Sequence, residues 1–204
     1  LAALSIGLNE INTNIINDTN YTGEGVVIGI VDTGLDFTHL MFWNEELSQI
    51  KISRAWLQKE KGGNKPFSFF YGSEYVGTQS LLEKEVSKQD QSHATHVCGI
   101  AAGGNSSSPY QGIAPKAEIV FVEMGNSEAE IIDAINYIFQ YADSRKKPAV
   151  VNLSLGSHLG PHDGSSYIDR SFDKLSGKGK IIVGSAGNEG NVNLHLKYFF
   201  QNNT

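Results

Sequence analysis

The chain has 204 residues, which suffices for one domain with a buried core. Hydrophobic residues make up 40% of the sequence and charged residues 19%, as is typical of a globular protein. The formal net charge of -6 argues against a nucleic-acid partner, because proteins of that class usually carry a basic face. The single cysteine, Cys98, excludes an internal disulfide, and no apolar run approaches the ~20 residues of a membrane span.

Four short apolar runs predict the strands of a sheet. Residues 26–31 form the first run, which is rich in β-branched side chains and typical of a strand buried on both faces. Runs of the same kind follow at residues 119–122, 149–153 and 180–183. Strands that are apolar throughout belong mostly to parallel sheets, so we expect these four to lie parallel.

Two helices are predicted between these runs. Ser127 and Glu130 have capping-box spacing, and an apolar stripe follows at helical intervals, formed by Ile131, Ile135, Ile138 and Ala142. Residues 166–175 have the pattern of a second helix, which Gly177 closes. The alternation of strands and helices predicts an α/β fold with a mainly parallel sheet.

Two stretches do not follow this alternation. Residues 51–89 are polar and aromatic, with several glycines, and are interpreted as an insertion. After Gly190, apolar and polar side chains alternate over residues 192–198, which predicts a half-buried strand. We therefore divide the chain into a main unit of residues 1–190 and the start of a second, β-rich unit at residues 191–204.

Asp32 follows the first predicted strand and is the first candidate site residue. Ligands of open α/β sheets gather beyond the carboxyl ends of the strands, where an acid is anchored by the sheet and shielded from water. Taken alone, an aspartate in this position is more often a turn former or a helix cap. Its chemistry therefore depends on what the fold brings beside it.

The second candidate is His93, in the segment Ser-His-Ala-Thr-His-Val-Cys-Gly of residues 92–99. The small residues that follow predict a tightly packed helix, with the imidazole in its first turn and within reach of a carboxylate at a strand end. His96 lies about one helical turn further on. Two readings of His96 stay open: a zinc ligand, for which the spacing and a missing glutamate are unfavourable, and a hydrogen-bonded structural histidine, which we favour.

The third candidate is Asn188, in a glycine-bracketed turn after the strand at residues 180–183. Glycines let the backbone turn sharply and let another chain approach closely. An asparagine held in such a turn could direct its amide at a developing oxyanion, although a turn alone is also a sufficient reason for asparagine.

These three segments, in this order, closely resemble the aspartate, histidine and oxyanion-asparagine motifs of the subtilases. They read Gly-Ile-Val-Asp-Thr-Gly at residues 29–34, His-Ala-Thr-His-Val-Cys-Gly at 93–99 and Ser-Ala-Gly-Asn-Glu-Gly at 185–190. Two further matches are Gly-Ile-Ala-Pro at 112–115 and Val-Asn-Leu-Ser-Leu-Gly at 151–156. The resemblance covers nearly all of residues 7–190 and implies a three-layer fold with helices on both faces of the sheet.

The resemblance assigns a role to each candidate. Asp32 would orient His93, which would act as general base for a serine in peptide-bond hydrolysis, while Asn188 would donate to the oxyanion. Two segments would pair with the backbone of a peptide or protein substrate, and these consist of Ser154, Leu155, Gly156, Ser185, Ala186 and Gly187.

The nucleophile is the main departure from the family pattern. Subtilases carry it in a segment similar to Gly-Thr-Ser-Met-Ala, well after the oxyanion asparagine, and residues 188–204 contain no such segment. We therefore predict that this chain alone is inactive and that its partner is the remainder of its own catalytic domain. The insertion and the strand after Gly190 resemble the subtilases with a jelly-roll insert before the serine, including clostridial germination-type proteases.

Three smaller departures concern Ala94, Cys98 and Met41. Ala94 replaces the glycine that usually follows the catalytic histidine, and its methyl group could displace the imidazole. Cys98 is one residue away from the position of the cysteine in some subtilases, so we expect a small buried apolar side chain. Calcium is common in the family, but Met41 replaces a familiar aspartate ligand and residues 104–110 contain no carboxylate. We expect no metal or other cofactor.

Two other functions compete with the peptidase. A pseudoprotease would keep the fold and serve in binding or regulation, but it has no need of Asp32, His93 and Asn188 together. A dinucleotide-binding module fails because the glycines at positions 23 and 25 precede the first strand, whereas phosphate-binding glycines follow it. The start at Leu1 is interpreted as a trimmed or processed N-terminus, and secretion is implied by the resemblance alone.

Overall fold

The computed structural model describes residues 15–16, 19–87, 90–105, 107–108 and 110–193. A short antiparallel pair, β1 (Ile15–Ile16) and β2 (Thr19–Asn20), precedes the main sheet. The main sheet contains β3 (Val27–Asp32), β4 (Ile52–Leu57), β5 (Ser73–Val76), β6 (Glu118–Glu123), β7 (Ala149–Leu153) and β8 (Lys180–Gly184). The helices are α1 (Gly77–Lys84), α2 (Ser92–Ala102), α3 (Glu128–Ser144) and α4 (Tyr167–Leu175).

The six strands lie in the order β5-β4-β6-β3-β7-β8. All neighbours are parallel except β4 and β5, which are antiparallel. Strands β3 and β6 are central, and they are in register so that Asp32 lies beside Glu123 at their carboxyl ends. The predicted α/β class and its mainly parallel sheet are confirmed.

Helices cover both faces of the sheet, as the alternation of side chains along β3 requires. Val27 and Val31 belong to the apolar cluster that contains the buried face of α3. Ile30 belongs to the opposite cluster, which contains Ala94 and Cys98 of α2. Asp32 lies two residues after Ile30, so both side chains are on the same face of the sheet, which α2 covers.

The predicted capping box at the start of α3 is present. The Ser127 hydroxyl accepts from the backbone N–H of Glu130, and the Glu130 carboxylate accepts from the backbone N–H of Ser127. Ser166 caps α4 through the backbone N–H of Asp169. None of the helices among the described residues is long and apolar enough to cross a membrane.

The stretch of residues 51–89 is part of the main sheet, which differs from the expectation of a separate insertion. It contributes β4, β5 and α1, and β4 pairs with β6 over its whole length apart from one irregularity. Trp56 of β4 is fully buried and packs against Phe69 and Tyr137. The predicted strand at residues 192–198 lies mostly outside the described residues.

One part of the sheet has an uncovered face among the described residues. Ile181 and Val183 of β8 are 53% and 46% exposed. They are in register with Val150 and Asn152 of β7, and so share the face of Ile30 and α2. The opposite face of β8 is covered, because Ile182 packs against the cluster that contains α3.

Candidate active site

Asp32 and His93 form a hydrogen-bonded pair at the carboxyl edge of the sheet. The His93 Nδ1 atom lies 2.8 Å from the Asp32 Oδ1 atom. The carboxylate is 3% exposed, whereas the imidazole is 54% exposed. A carboxylate can only accept, so Nδ1 carries the proton and the other ring nitrogen, Nε2, is the basic one in the neutral ring. The pair can therefore take a proton from a group that approaches the exposed side of the imidazole.

The Asp32 carboxylate is held by its own strand end. The backbone N–H of Thr33 donates to Oδ1 at 2.7 Å, and the Thr33 hydroxyl lies 3.2 Å from the same oxygen. The other oxygen, Oδ2, is buried and has no hydrogen-bond partner among the described residues. The contact of Thr33 with Asp32 was not predicted, although a hydroxyl residue directly after a strand-end acid is a recognisable signal in the sequence.

The first turn of α2 holds His93 opposite this carboxylate. The Asp90 carboxylate accepts from the backbone N–H of Ser92 at 3.0 Å and from its hydroxyl at 2.8 Å. These hydrogen bonds lower the pKa of Asp90 below its ordinary value, so the side chain stays ionised beside the helix start. A negative charge at a helix N-terminus is favourable because of the helix dipole.

The two departures within α2 leave this geometry intact. Ala94 is fully buried, and its methyl group is accommodated in the cluster below β3 while the distance between Asp32 and His93 remains 2.8 Å. Cys98 is also fully buried, as expected. Burial raises the pKa of the Cys98 thiol to about 12, so it is a neutral, unreactive side chain at neutral pH.

His96 is not part of the hydrogen-bonded pair. Its side chain is exposed, and it lines a cleft of about 1070 Å³ together with Asp36, His39 and Tyr110. The hydrogen bonds between described residues include none to its imidazole, and the expectation of a hydrogen-bonded structural histidine stays a prediction. Within the described ranges, no group of three His, Cys, Asp or Glu side chains is arranged to hold a metal ion.

The two candidate substrate segments lie side by side at the carboxyl ends of β7 and β8. The backbone N–H of Ser185 donates to the Leu153 carbonyl at 3.1 Å, and the Ser185 hydroxyl donates to the Leu155 carbonyl at 3.0 Å. The residues that follow these two hydrogen-bonded positions, Gly156, Ala186 and Gly187, are exposed. Hydrogen bonds within the described part of the chain involve no backbone group of these three residues, which lie on the same edge of the sheet as Asp32.

Asn188 lies on the exposed loop that follows β8. Its backbone N–H donates to the Glu189 carboxylate at 2.8 Å, and that carboxylate is 3.2 Å from the His158 imidazole. The described residues show no contact between Asn188 and the Asp32–His93 pair. Strands β3 and β8 are separated by β7 alone, so their ends are about 10 Å apart along the edge.

Glu123 is a second buried acid at this edge that sequence analysis did not identify. It is 3% exposed and lies beside Asp32 in the register of β3 and β6. Burial raises the pKa of the Glu123 carboxyl, and a hydrogen bond from the Ser87 hydroxyl opposes this effect. Its Oε2 atom is buried without a hydrogen-bond partner in the described part of the chain.

Comparisons with known proteins identify relatives for most of the chain. Subtilisin E of Bacillus subtilis (strain 168) is 26% identical over 189 residues, which are 90% of this chain and 40% of the relative. A PII-type proteinase of Lacticaseibacillus paracasei is 27% identical over 182 residues, which are 83% of this chain and 10% of the relative. The chain thus spans less than half the length of either relative.

A solved structure and a family model agree with these relatives. The CspB protease of Clostridium perfringens matches with a TM-score of 0.73 and 26% identity, over 90% of this chain and 40% of that one. The model of the subtilase family matches residues 23–203, a range that contains both members of the hydrogen-bonded pair. The chain belongs to the subtilase family.

Proposed function

We propose that the full-length protein is a serine endopeptidase of the subtilisin type, whose triad consists of Asp32, His93 and a serine beyond Thr204. The observation that carries this proposal is the 2.8 Å hydrogen bond between a buried carboxylate and an exposed imidazole. A buried acid of this kind fixes the ring orientation and favours the imidazolium form, which is what a general base for a hydroxyl needs.

The reaction proceeds in two halves. The serine hydroxyl attacks the peptide carbonyl as its proton passes to Nε2 of His93, and Asp32 stabilises the imidazolium that forms. The imidazolium then gives this proton to the leaving amine, and the peptide C–N bond breaks to leave an acyl-enzyme. A water molecule then attacks the carbonyl of the acyl-enzyme while its proton passes to His93. The imidazolium gives this proton to the serine oxygen, and the ester bond breaks to release the serine.

Asn188 acts in this proposal as a donor to the oxyanion of the tetrahedral intermediates. Loss of one such donor typically lowers turnover about 10²–10³-fold. The segments at residues 154–156 and 185–187 flank the substrate and pair with its backbone, because exposed residues of both segments lie on the edge that carries Asp32. Recognition through the backbone accommodates peptides and proteins of varied sequence.

The remainder of the catalytic domain is the partner of this chain in the proposal. Ile181 and Val183 are exposed apolar side chains on the sheet face that carries α2, and burying them is favourable. A segment that packs on this face lies next to the carboxyl edge of the sheet, where His93 is located. The chain that ends at Thr204 has the base but lacks the nucleophile, and it does not hydrolyse peptides.

A peptidase assay tests the proposal. The full-length protein and a chain of residues 1–204 are incubated with fluorogenic peptides and with unfolded casein, and a full-length His93→Ala variant is the control. Hydrolysis by the full-length protein alone supports the proposal. Absence of hydrolysis by the full-length protein favours a pseudoprotease. Hydrolysis by residues 1–204 alone refutes the proposal that the catalytic serine lies beyond Thr204.

A further inference from the structure

The Lys51 ammonium lies at the centre of three backbone carbonyls. Its Nζ atom donates to the Ala102 carbonyl at 2.7 Å and to the carbonyls of Gly104 and Pro115 at 2.8 Å each. These carbonyls come from the end of α2, from the loop that follows it and from the segment before β6. One side chain directly before β4 therefore contacts both the end of α2 and the segment before β6.

The chemistry of this arrangement is that of a cation site. Three carbonyl oxygens that converge on one point repel one another unless a positive charge lies between them. A neutral amine has two N–H donors, so three acceptors at these distances require the ammonium form. Ala102 is the last residue of α2, and the negative end of the helix dipole adds to the attraction.

The position of Lys51 is fixed by its own backbone. The Lys51 N–H donates to the Phe42 carbonyl at 2.6 Å, and the Lys51 carbonyl accepts from the N–H of Ile119 at 3.0 Å. Burial lowers the pKa of Lys51 to about 8, and the acidic side chain of Glu45 acts in the opposite direction. The side chain is thus mainly charged at neutral pH, and the two backbone hydrogen bonds of Lys51 hold it beside the three carbonyls.

The same region does not fit a calcium ion. Calcium in proteins is bound by six to eight oxygens, carboxylates among them. Here the side chain of Met41 is a thioether, and the sequence of residues 103–112 contains no carboxylate. The carbonyl of Met41 is already used by the N–H of Gly104, at 2.8 Å. A divalent ion beside the Lys51 ammonium would also be repelled by it.

We infer that the Lys51 ammonium is a built-in cation that orders the described residues between Ala102 and Pro115 in place of a bound divalent metal. The order of this segment then depends on a side chain and not on the calcium concentration. The inference is independent of the proposed peptidase activity, because it concerns the far end of α2, nine residues after His93 and about 14 Å from it along the helix axis.

Hydrogen exchange in the full-length protein gives a local test. The reporters are the backbone amides of Gly104, Gly112 and Ile113, which donate to Met41, Gly103 and Ile100 respectively. We expect their protection in the wild-type protein to be the same in excess EDTA and in millimolar calcium chloride. In a Lys51→Met variant, which keeps the chain length and removes the charge, we expect exchange about tenfold faster or more, because the carbonyls lose their only charged donor in the described part of the chain.

A matched control is Lys116→Met, which removes the same charge from an exposed lysine next to Pro115. Its exchange is expected to equal that of the wild type. Faster exchange of the wild-type amides in EDTA, or equal exchange in the Lys51→Met and Lys116→Met variants, would overturn the inference.

A Lys51→Ala variant adds a chemical rescue. It leaves space beside the carbonyls, so millimolar methylammonium chloride should restore part of the protection, whereas the same concentration of sodium chloride should restore less. If calcium chloride restores the alanine variant and methylammonium does not, the site is a metal site and the inference fails. If Lys51→Ala does not fold, the exchange measurements on the wild type and on Lys51→Met still decide the question.

Discussion

Asp32 combines burial with an incomplete set of hydrogen bonds. Its Oδ1 atom accepts from Thr33 and is paired with His93, while Oδ2 is buried without a partner among the described residues. A buried, incompletely satisfied carboxylate is costly in free energy, and such costs are typical of functional sites. Among these partners, the His93 imidazole is the one that can carry a positive charge.

Replacing this acid by its amide tests its role. We predict that Asp32→Asn in the full-length protein lowers kcat about 10⁴-fold, because the amide favours the wrong tautomer of His93. Steady-state hydrolysis of a fluorogenic peptide measures kcat, and a thermal unfolding curve checks that the fold persists. The control is Asp173→Asn, on the exposed side of α4, which should leave kcat unchanged. Wild-type turnover in Asp32→Asn would contradict the assignment.

Glu123 gives a prediction about pH. Because burial raises its pKa above the ordinary 4.5, the folded protein keeps a proton that the unfolded chain releases as the pH rises above 4.5. The contribution of Glu123 to the free energy of unfolding is therefore fully present below pH 4.5 and is lost as the pH rises through the folded-state pKa.

A Glu123→Gln variant lacks this titration. We predict that its stability relative to the wild type increases between about pH 5 and about pH 8, as measured by urea unfolding at both values. A stability difference that is the same at the two pH values would show that the carboxyl has an ordinary pKa in the folded protein.

Sequence alone predicted the pairing of Asp32 with His93 but not the residues around it. Local patterns predict which face of β3 carries Asp32 and that His93 lies in the first turn of α2. These two positions bring the carboxylate and the imidazole together. The burial of Glu123 depends on the register between β3 and β6, which no local pattern specifies. The position of the Asn188 amide depends on an exposed loop with few contacts, and its role stays a prediction.

At the scale of elements, the strongly periodic segments were predicted to within one or two residues. The strand at residues 149–153 and the helix that begins after Ser127 are examples. Strand β4 was missed because Ser53 and Arg54 interrupt its apolar pattern. Both polar side chains contact acids of neighbouring strands: Ser53 donates to Glu118, and an Nη atom of Arg54 pairs with Glu74, although the Nε atom of Arg54 has no hydrogen-bond partner among the described residues.

The packing of α3 on the sheet depends on Gly29 in the middle of β3. A Cβ atom at this position would lie 2.6 Å from two carbon atoms of the Ile138 side chain. We predict that Gly29→Ala lowers the free energy of unfolding by about 1–3 kcal/mol, because the core must shift to accept the methyl group. Chemical denaturation measures this loss.

Ile138→Val provides the matching control for that packing. It removes one of the two contacting carbon atoms, Cδ1, so the double variant should be less destabilised than the sum of the two single variants. Simple additivity would mean that the strain of Gly29→Ala arises elsewhere.

At the scale of the whole molecule, the described residues form a sheet that is covered on both faces around β3 and β6 but on one face at β8. Ile181 and Val183 are apolar, exposed and adjacent to the edge that carries His93. If the remainder of the catalytic domain packs there, these side chains are buried in the full-length protein.

A charged substitution distinguishes a buried from an exposed valine. We predict that Val183→Asp lowers the Tm of the full-length protein by about 3 °C or more, because the carboxylate loses water on burial. Val76→Asp is the matched control, since Val76 is 51% exposed at the far edge of the sheet and precedes α1, where aspartate is a favourable cap. Equal and small effects of both changes would show that the β8 face remains in water.

The most direct test of the peptidase triad is covalent labelling of the full-length protein with a fluorophosphonate, followed by peptide mapping. We predict one labelled serine, located beyond Thr204, and labelling that is strongly reduced in His93→Ala, since the base that activates the hydroxyl is then missing. A label on a serine within residues 1–204, or labelling that is independent of His93, would contradict the assignment of Asp32 and His93 as the acid and base of the site.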